Sequence, residues 1–299
     1  MIDNQKIFGT IIKGIGGFYY VSSPDGIIEC RAQGKLRQKE LSPMVGDFAT
    51  VLLSPDGSGS ISSISPRKNF LIRPEVSNID TLVLVCAMRS PIPDLLLMDK
   101  LLVTAESKNI EAVICLNKTD LAPDDEISAF CDIYKKAGYR VIVACAKTGE
   151  GTGQLRDIIK GNTVCFAGLS GVGKSSLLKR VTGLPLKTGG VSRIERGKHT
   201  TRHVELIEAC GGFVFDTPGF SRLETAELYA NDLWKYFPEF SKSHLSCRFR
   251  TCNHVGEPGC AVAADLKNGL IAQSRYENYV LLFNKLKEIK DWQRKDLPK

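Results

Sequence analysis

NTVCFAGLSGVGKSSLLKRV, residues 162–181, decides the fold. An apolar run, Thr163 to Ala167, passes into Gly168, Leu169, Ser170, Gly171, Val172, Gly173, Lys174 and Ser175, and then into a helical pattern beginning near Ser176. This is G-x-x-x-x-G-K-S between a strand and a helix, the context a phosphate-binding loop requires. Its glycines let backbone N–H groups surround phosphate oxygens, and the helix aims its positive end at the anion. Lys174 is placed to meet the β- and γ-phosphates, and the Ser175 hydroxyl to ligate Mg²⁺.

Working outward, the same texture extends on both sides. IDTLVLVCA, EAVICLN, YRVIVACA, HVELIEAC and GFVFDTPG are further apolar strands. Helical stretches such as DLLLMDKLLVTAES and DEISAFCDIYKKAG lie between some of them. That alternation predicts a parallel sheet covered on both faces. HVELIEAC is expected to hairpin onto GFVFDTPG through Cys210, Gly211 and Gly212.

The strand ends carry the base. NKTD, residues 117–120, ends EAVICL, where open α/β sheets bind ligands. The Asp120 carboxylate can accept two hydrogen bonds from guanine. Adenine would leave it facing an acceptor, costing roughly 1–3 kcal/mol or more. Lys118 would lie along the base, and Asn117 would tie this loop to the phosphate loop. CAKTGEG, residues 145–151, reads as the loop behind the base. Ala146 would offer its N–H, Lys147 follows, and Cys145 stands where serine is usual, which weakens the side-chain role. DTPG, residues 216–219, reads as D-x-x-G, with Asp216 orienting Mg²⁺ and the Gly219 N–H sensing the γ-phosphate.

The segment before it, GGVSRIERGKHTTRHVEL, should hold the switch threonine on Mg²⁺; Thr201 is the first choice and Thr200 the second. Phe220 occupies the position where many GTPases carry a water-orienting glutamine, so another group must do that work. His199 is the best candidate. The base motifs precede the phosphate loop, so the order is circularly permuted. The same sheet can still form, because domain termini tend to lie close together.

The flanks differ from this centre. Residues 1–65 hold short strand candidates, KIFGTIIK, GGFYYVSS, GIIECRAQ, DFATVLLS and GSISSISP, with two SPDG turns. An OB-fold is the leading choice and an SH3-like barrel the alternative. RKNFLIRP, residues 67–74, reads as a connector. After Gly219 the strands stop, and RYENYVLLFNKLKEIKDWQRK reads as one long helix. Between them stand Cys247, Cys252, His254 and Cys260. Three thiolates and an imidazole form the closed tetrahedral set of a structural zinc site with no room for a catalytic water. The segment around them is poor in apolar residues, so metal would supply folding energy. Most other cysteines sit singly in apolar runs and read as buried thiols.

The expected organisation is a multidomain chain. Residues 1–74 form a barrel and connector, 75–221 an α/β GTPase domain, and 222–299 a mainly α zinc-binding domain. The net charge is +7 over 299 residues, with 9 basic and 6 acidic side chains in 1–74 and 13 and 10 in 222–299. The flanks thus hold most of the excess and suit a polyanion. No apolar run approaches the roughly 18 to 20 residues of a membrane span. MIDNQKIFGT shows no secretory pattern, so a cytoplasmic monomer without a membrane partner is expected.

These motifs together resemble the RsgA family of bacterial circularly permuted GTPases. The likeness runs through VGD at 45–47, NKTD, GLSGVGKS, GKHTT, DTPG, FPEF at 237–240, the cysteine pattern and the EPGCAV and RYENY stretches. The resemblance implies an OB-fold, a permuted GTPase domain and a zinc domain. It also implies GTP, GDP, the small ribosomal subunit and its rRNA as partners, a role in late maturation of that subunit, and His199 as the catalytic group. Two other classes stay open: a P-loop enzyme acting on a small molecule, and a zinc-stabilised RNA-binding GTP sensor with little turnover. NKTD and the lack of a second substrate signature argue against the first of these.

Overall fold

In the computed structural model, residues 5–38, 42–55, 57–72, 74–184, 204–216 and 228–290 are described. The chain begins with β1 (Lys6–Ile15), β2 (Phe18–Ser23), β3 (Gly26–Ala32), α1 (Gly34–Gln38), β4 (Phe48–Leu53), β5 (Gly59–Ile64), β6 (Phe70–Ile72) and β7 (Glu75–Ser77). It continues with β8 (Thr81–Ala87), α2 (Leu95–Ser107), β9 (Glu111–Asn117), α3 (Asp124–Lys136), β10 (Arg140–Val143), α4 (Thr152–Ile159), β11 (Thr163–Ala167) and α5 (Lys174–Thr182). Then come β12 (Glu205–Ala209), β13 (Gly212–Asp216), α6 (Pro238–His244), α7 (Ala261–Lys267) and α8 (Gln273–Glu288). Two compact units result, Met1–Thr81 with Gly153–Phe166 and Leu178–Phe220, and Leu82–Thr152 with Ala167–Leu177 and Ser221–Lys299.

In the first unit, alternation of apolar and polar residues builds a closed barrel. Its strands run β1-β2-β3-β5-β4, and β4 returns to β1. The β3–β5 pair is parallel and the others antiparallel. This five-stranded closure is an OB-fold and excludes the SH3-like alternative. Ile11, Val21, Cys30, Leu36, Ala49, Val51 and Ile61 fill it. β1 also pairs with β12 at Lys13 and Glu205, whose side chains form an ion pair of 3.2 Å. β12 and β13 form the expected hairpin, and β13 runs parallel to β11.

The connector is more structured than its sequence indicated. β6 and β7 form a short hairpin with Leu71 and Val76 buried. Three-residue strands around Pro74 are too short to show a period. Beneath the barrel Asp47, fully buried, accepts from Met44 N at 2.7 Å, Arg67 Nε at 2.7 Å and Nη2 at 2.8 Å, and Ser77 Oγ at 2.6 Å. Every lone-pair direction of that carboxylate is used, which is what a buried charge requires.

In the second unit β10 pairs with β9 in parallel register, and β9 lies beside β8. All seven residues of β8 are buried, as a strand covered on both faces must be. Helix α2 shares a core with the C-terminal elements. Val103 meets the set containing Leu233, Phe237, Phe240, Val262, Tyr279, Leu282 and Leu286. Helix α8 starts at Gln273, earlier than its sequence suggested, and stops at Glu288, because Ile289 turns extended and packs against this core. Among the described residues no helix is long and apolar enough to cross a membrane.

Candidate functional site

The phosphate loop leaves β11 and enters α5. Gly168, Gly171 and Gly173 hold φ of 137°, 84° and 93°, a region that favours glycine. Space forbids a side chain as well: a Cβ at Gly168 would strike the Val85 carbonyl, and one at Gly173 the Asn117 amide. Lys174 Nζ donates to the Gly168 and Leu169 carbonyls at 2.7 Å each. Burial lowers its pKa from the ordinary lysine value, so an anion beside it is strongly favoured. Leu169 and Ser175 are half-buried, Val172 is buried, and Ser170 and Ser176 are exposed at the loop and the first turn of α5.

Asn117 joins three loops. Its Nδ2 donates to Val172 O at 2.8 Å, and its Oδ1 accepts from Ala146 N at 3.1 Å. Lys118 sits in the left-handed region at φ 59°, and its Nζ donates to Gly171 O at 2.7 Å and to Ser90 O. Thr119 Oγ1 donates to Ala144 O at 3.2 Å. These bonds bring the ends of β9 and β10 to the phosphate loop.

Further along the NKTD loop Asp120 accepts from Cys145 Sγ at 3.4 Å, and Lys147 Nζ lies 3.5 Å from its other oxygen. The buried Cys145 thiol therefore keeps a side-chain contact with the carboxylate, as a weaker donor than a hydroxyl. Asp216 ends β13 opposite Glu205. His199, Thr200, Thr201 and Gly219 lie outside the described residues.

A second cluster gathers Cys247, Cys252, His254 and Cys260, with one ligand atom from each within 4.8 Å of the others. His254 Nδ1 lies 3.7 Å from Cys247 Sγ and 3.4 Å from Cys260 Sγ. Metal bonds of about 2.3 Å to sulfur and about 2.0–2.1 Å to nitrogen give tetrahedral S···N edges of about 3.5 Å, so the donors fit one metal ion. Burial lowers the His254 pKa to about 4 and pushes Cys252 up to about 12. The imidazole is thus neutral and ready to coordinate, whereas the buried thiols ionise only beside a cation.

The surroundings hold this geometry. His254 Nε2 meets His244 Nδ1 at 3.0 Å, and Trp234 stacks on His244 at 3.7 Å. The Glu257 carboxylate takes Asn253 N and Val255 N at 2.8 and 2.7 Å. Tyr276 and Tyr279 donate to the His254 and Asn253 carbonyls at 3.0 and 2.7 Å. Such outer partners fix the orientation of metal ligands.

Sequence reasoning missed one group. Arg275 is buried against Asp99 and Glu239, which lie 176 and 36 residues away. Its sequence signals were its place in the RYENY stretch and a cation early in an apolar-faced helix, and neither names its distant partners.

A phosphate loop braced by NKTD, with the base loops preceding it in the chain, defines a circularly permuted P-loop GTPase. The RsgA GTPase family model matches residues 64–226, and the RsgA N-terminal domain model matches residues 8–61. The chain belongs to the RsgA family. The Small ribosomal subunit biogenesis GTPase RsgA of Caldanaerobacter subterraneus subsp. tengcongensis is 44% identical, over 95% of this chain and 97% of that one. The protein of the same name from Alkaliphilus metalliredigens is 45% identical, over 94% and 98%. Among solved structures, YjeQ from Thermotoga maritima matches with a TM-score of 0.83 at 36% identity, over 96% of this chain and all of the other. YloQ, described as a circularly permuted GTPase, matches with 0.82 at 35% identity, over 96% of each chain.

Proposed function

We propose that this chain is a GTP-driven switch in late maturation of the small ribosomal subunit, and that the subunit stimulates its hydrolysis. The observation that carries the reading is Asn117, whose two hydrogen bonds join the base loop, the phosphate loop and the loop of Ala146 into one pocket. Relatives 44–45% identical over nearly the whole chain are named for biogenesis of the small ribosomal subunit, which supports the partner.

In this reading Asp120 accepts guanine N1–H and the 2-amino group, with Cys145 and Lys147 holding the carboxylate. Lys118 lies along the base, and the Ala146 N–H meets the guanine oxygen. Backbone N–H groups of residues 168–176 and Lys174 bind the phosphates. Ser175 and Thr201 would hold Mg²⁺, which supplies positive charge where the transferred phosphoryl group becomes more anionic. Asp216 and Gly219 read the γ-phosphate side. His199 orients a water for in-line attack on the γ-phosphorus. The bond to the β-phosphate oxygen breaks, and GDP and phosphate leave.

Cys247, Cys252, His254 and Cys260 hold one structural zinc, because a Cys₃His set leaves no open position. Residues 1–74, 75–221 and 222–299 act as barrel, GTPase and zinc domains of a cytoplasmic monomer. Both basic flanks meet rRNA, each weakly, and gain from being linked. A subunit that prefers the GTP-bound arrangement must raise GTP affinity in turn.

The test is GTP turnover with small subunits, with large subunits and alone, across a salt series, together with co-sedimentation. Expected results are a sharp rise in turnover with small subunits only and tighter binding with a non-hydrolysable GTP analogue than with GDP. Tight binding without stimulation would leave a GTP sensor. Neither binding nor stimulation would remove the ribosomal role.

A further inference from the structure

Arg275 is 1% exposed and is among the largest fully buried side chains of the described residues. From α8 it donates through Nε and Nη2 to Glu239 at 2.7 and 3.0 Å, and through Nη1 to Asp99 at 2.7 Å. Asn278, one turn on, donates to the other Asp99 oxygen at 2.7 Å. The Phe237 ring centroid lies 4.4 Å from the guanidinium carbon. Two carboxylates thus share one guanidinium, and burial raises the Asp99 pKa. Apolar side chains of similar volume often stabilise such a site as well or better. What the ions add is direction: they lock α2 in one position against α6 and α8.

Asp99 lies near the N-terminal end of α2, and the chain just before that end touches the loops of NKTD and the phosphate site. Asp94 caps it by accepting from Leu97 N at 2.9 Å, and the five residues from Asp94 to Asp99 span only about 7.5 Å at the helical rise. Just before the cap, the Ser90 carbonyl accepts from Lys118 Nζ, the same atom that donates to Gly171 O. Met88 N donates to Asn117 O at 3.4 Å. Leu97, Met98 and Leu101 line an apolar crevice together with Gly168, Leu169 and Val172. The loop before α2 therefore contacts the base loop, while the helix itself meets the phosphate loop near its start and the core of the C-terminal helices along its length.

We infer that Arg275 is a positioning residue for the nucleotide site, acting through Asp99, α2 and the loop at 88–94. The link is reciprocal: a nucleotide that orders Lys118 and the phosphate loop also holds α8, and loosening α8 weakens nucleotide binding. The inference rests on guanine-nucleotide binding in this pocket and not on any ribosomal partner.

The test uses the full-length, metal-loaded protein without ribosomes. GDP affinity is measured with a fluorescent GDP, and hydrogen exchange of residues 273–288 and 168–175 is followed with and without GDP. In the unmodified protein GDP slows exchange in both segments. In Arg275→Met GDP affinity falls roughly five- to tenfold, and the response of 273–288 disappears while 168–175 is still protected. Asn278→Ala, which leaves the ion cluster in place, shifts both readouts about twofold in the same direction.

A merely structural Arg275 would speed exchange of 273–288 equally with and without GDP and leave affinity unchanged; that result overturns the inference. So does an unmodified α8 that ignores GDP. If Arg275→Met loses its metal or fails to fold, Asn278→Ala decides by the same two readouts. Failure of the unmodified protein to bind GDP would instead remove the nucleotide assignment.

Discussion

The proposed nucleotide pocket and the Cys/His cluster are built in opposite ways. The pocket draws on residues far apart in sequence, joined largely through main-chain groups. Its loops hold one another through Asn117 and Lys118. The cluster draws all four donors from Cys247 to Cys260, and those donors are unfavourable as a bare set. Burial lowers His254 and raises Cys252 and Cys260. A pocket for a ligand that comes and goes must keep its shape when empty. A cluster for a resident ion needs no such reserve and lets the ion serve as part of the core.

The largest expected effect tests the second half of that contrast. Cys252→Ser should release the metal and unfold the region around α6 to α8, since structural zinc contributes apparent free energies of about 10–16 kcal/mol in small domains. Guanine nucleotide should still bind, though less tightly. Metal analysis, circular dichroism and fluorescent-GDP binding on one preparation would show it. A variant that keeps its metal and its helices would erase the difference between the sites.

His199→Ala comes next and separates binding from turnover. GDP affinity should stay near the unmodified value while subunit-stimulated hydrolysis slows on the order of 10²-fold. Turnover within about twofold of the unmodified protein would leave His199 without a role in hydrolysis.

Asp120→Asn is smaller. The amide cannot accept both guanine donors, so GTP affinity should fall by about 1–3 kcal/mol while xanthosine triphosphate gains. Competition binding would measure it, and an unaltered preference for GTP would move base recognition elsewhere.

The smallest effect is the sharpest check on the pocket. Cys145→Ser replaces a weak S–H donor at Asp120 by a hydroxyl, so GTP should bind about two- to fivefold tighter, in line with about 0.5–1 kcal/mol for one improved hydrogen bond. Cys145→Ala should move affinity the other way. Identical affinities for all three would show that this side chain does not hold the carboxylate.

Some of this molecule was legible without coordinates. The phosphate loop, NKTD, the loop at 145–151 and the Cys/His cluster that could hold a metal are local patterns. Their chemistry needs particular residue types at spacings that backbone geometry sets, so each can be read within a few residues. The permuted order is likewise a property of the chain alone. The strands were legible because apolar runs bounded by glycine and proline have few other uses.

Long-range pairing was not legible. The return of β4 to β1 and the parallel β3–β5 pair made the barrel an OB-fold, and neither leaves a mark in five similar strands. The β6–β7 hairpin hid in runs of three residues, and α8 ended where Ile289 found a place in the core. Arg275 stood in a stretch read only as helix, and Asp99 and Glu239 came to it from distant elements. Sequence determined which residues can do chemistry, because that depends on functional groups and short spacings. Tertiary structure alone decided which of them share a buried environment, because burial is a property of the packed chain and not of any segment of it.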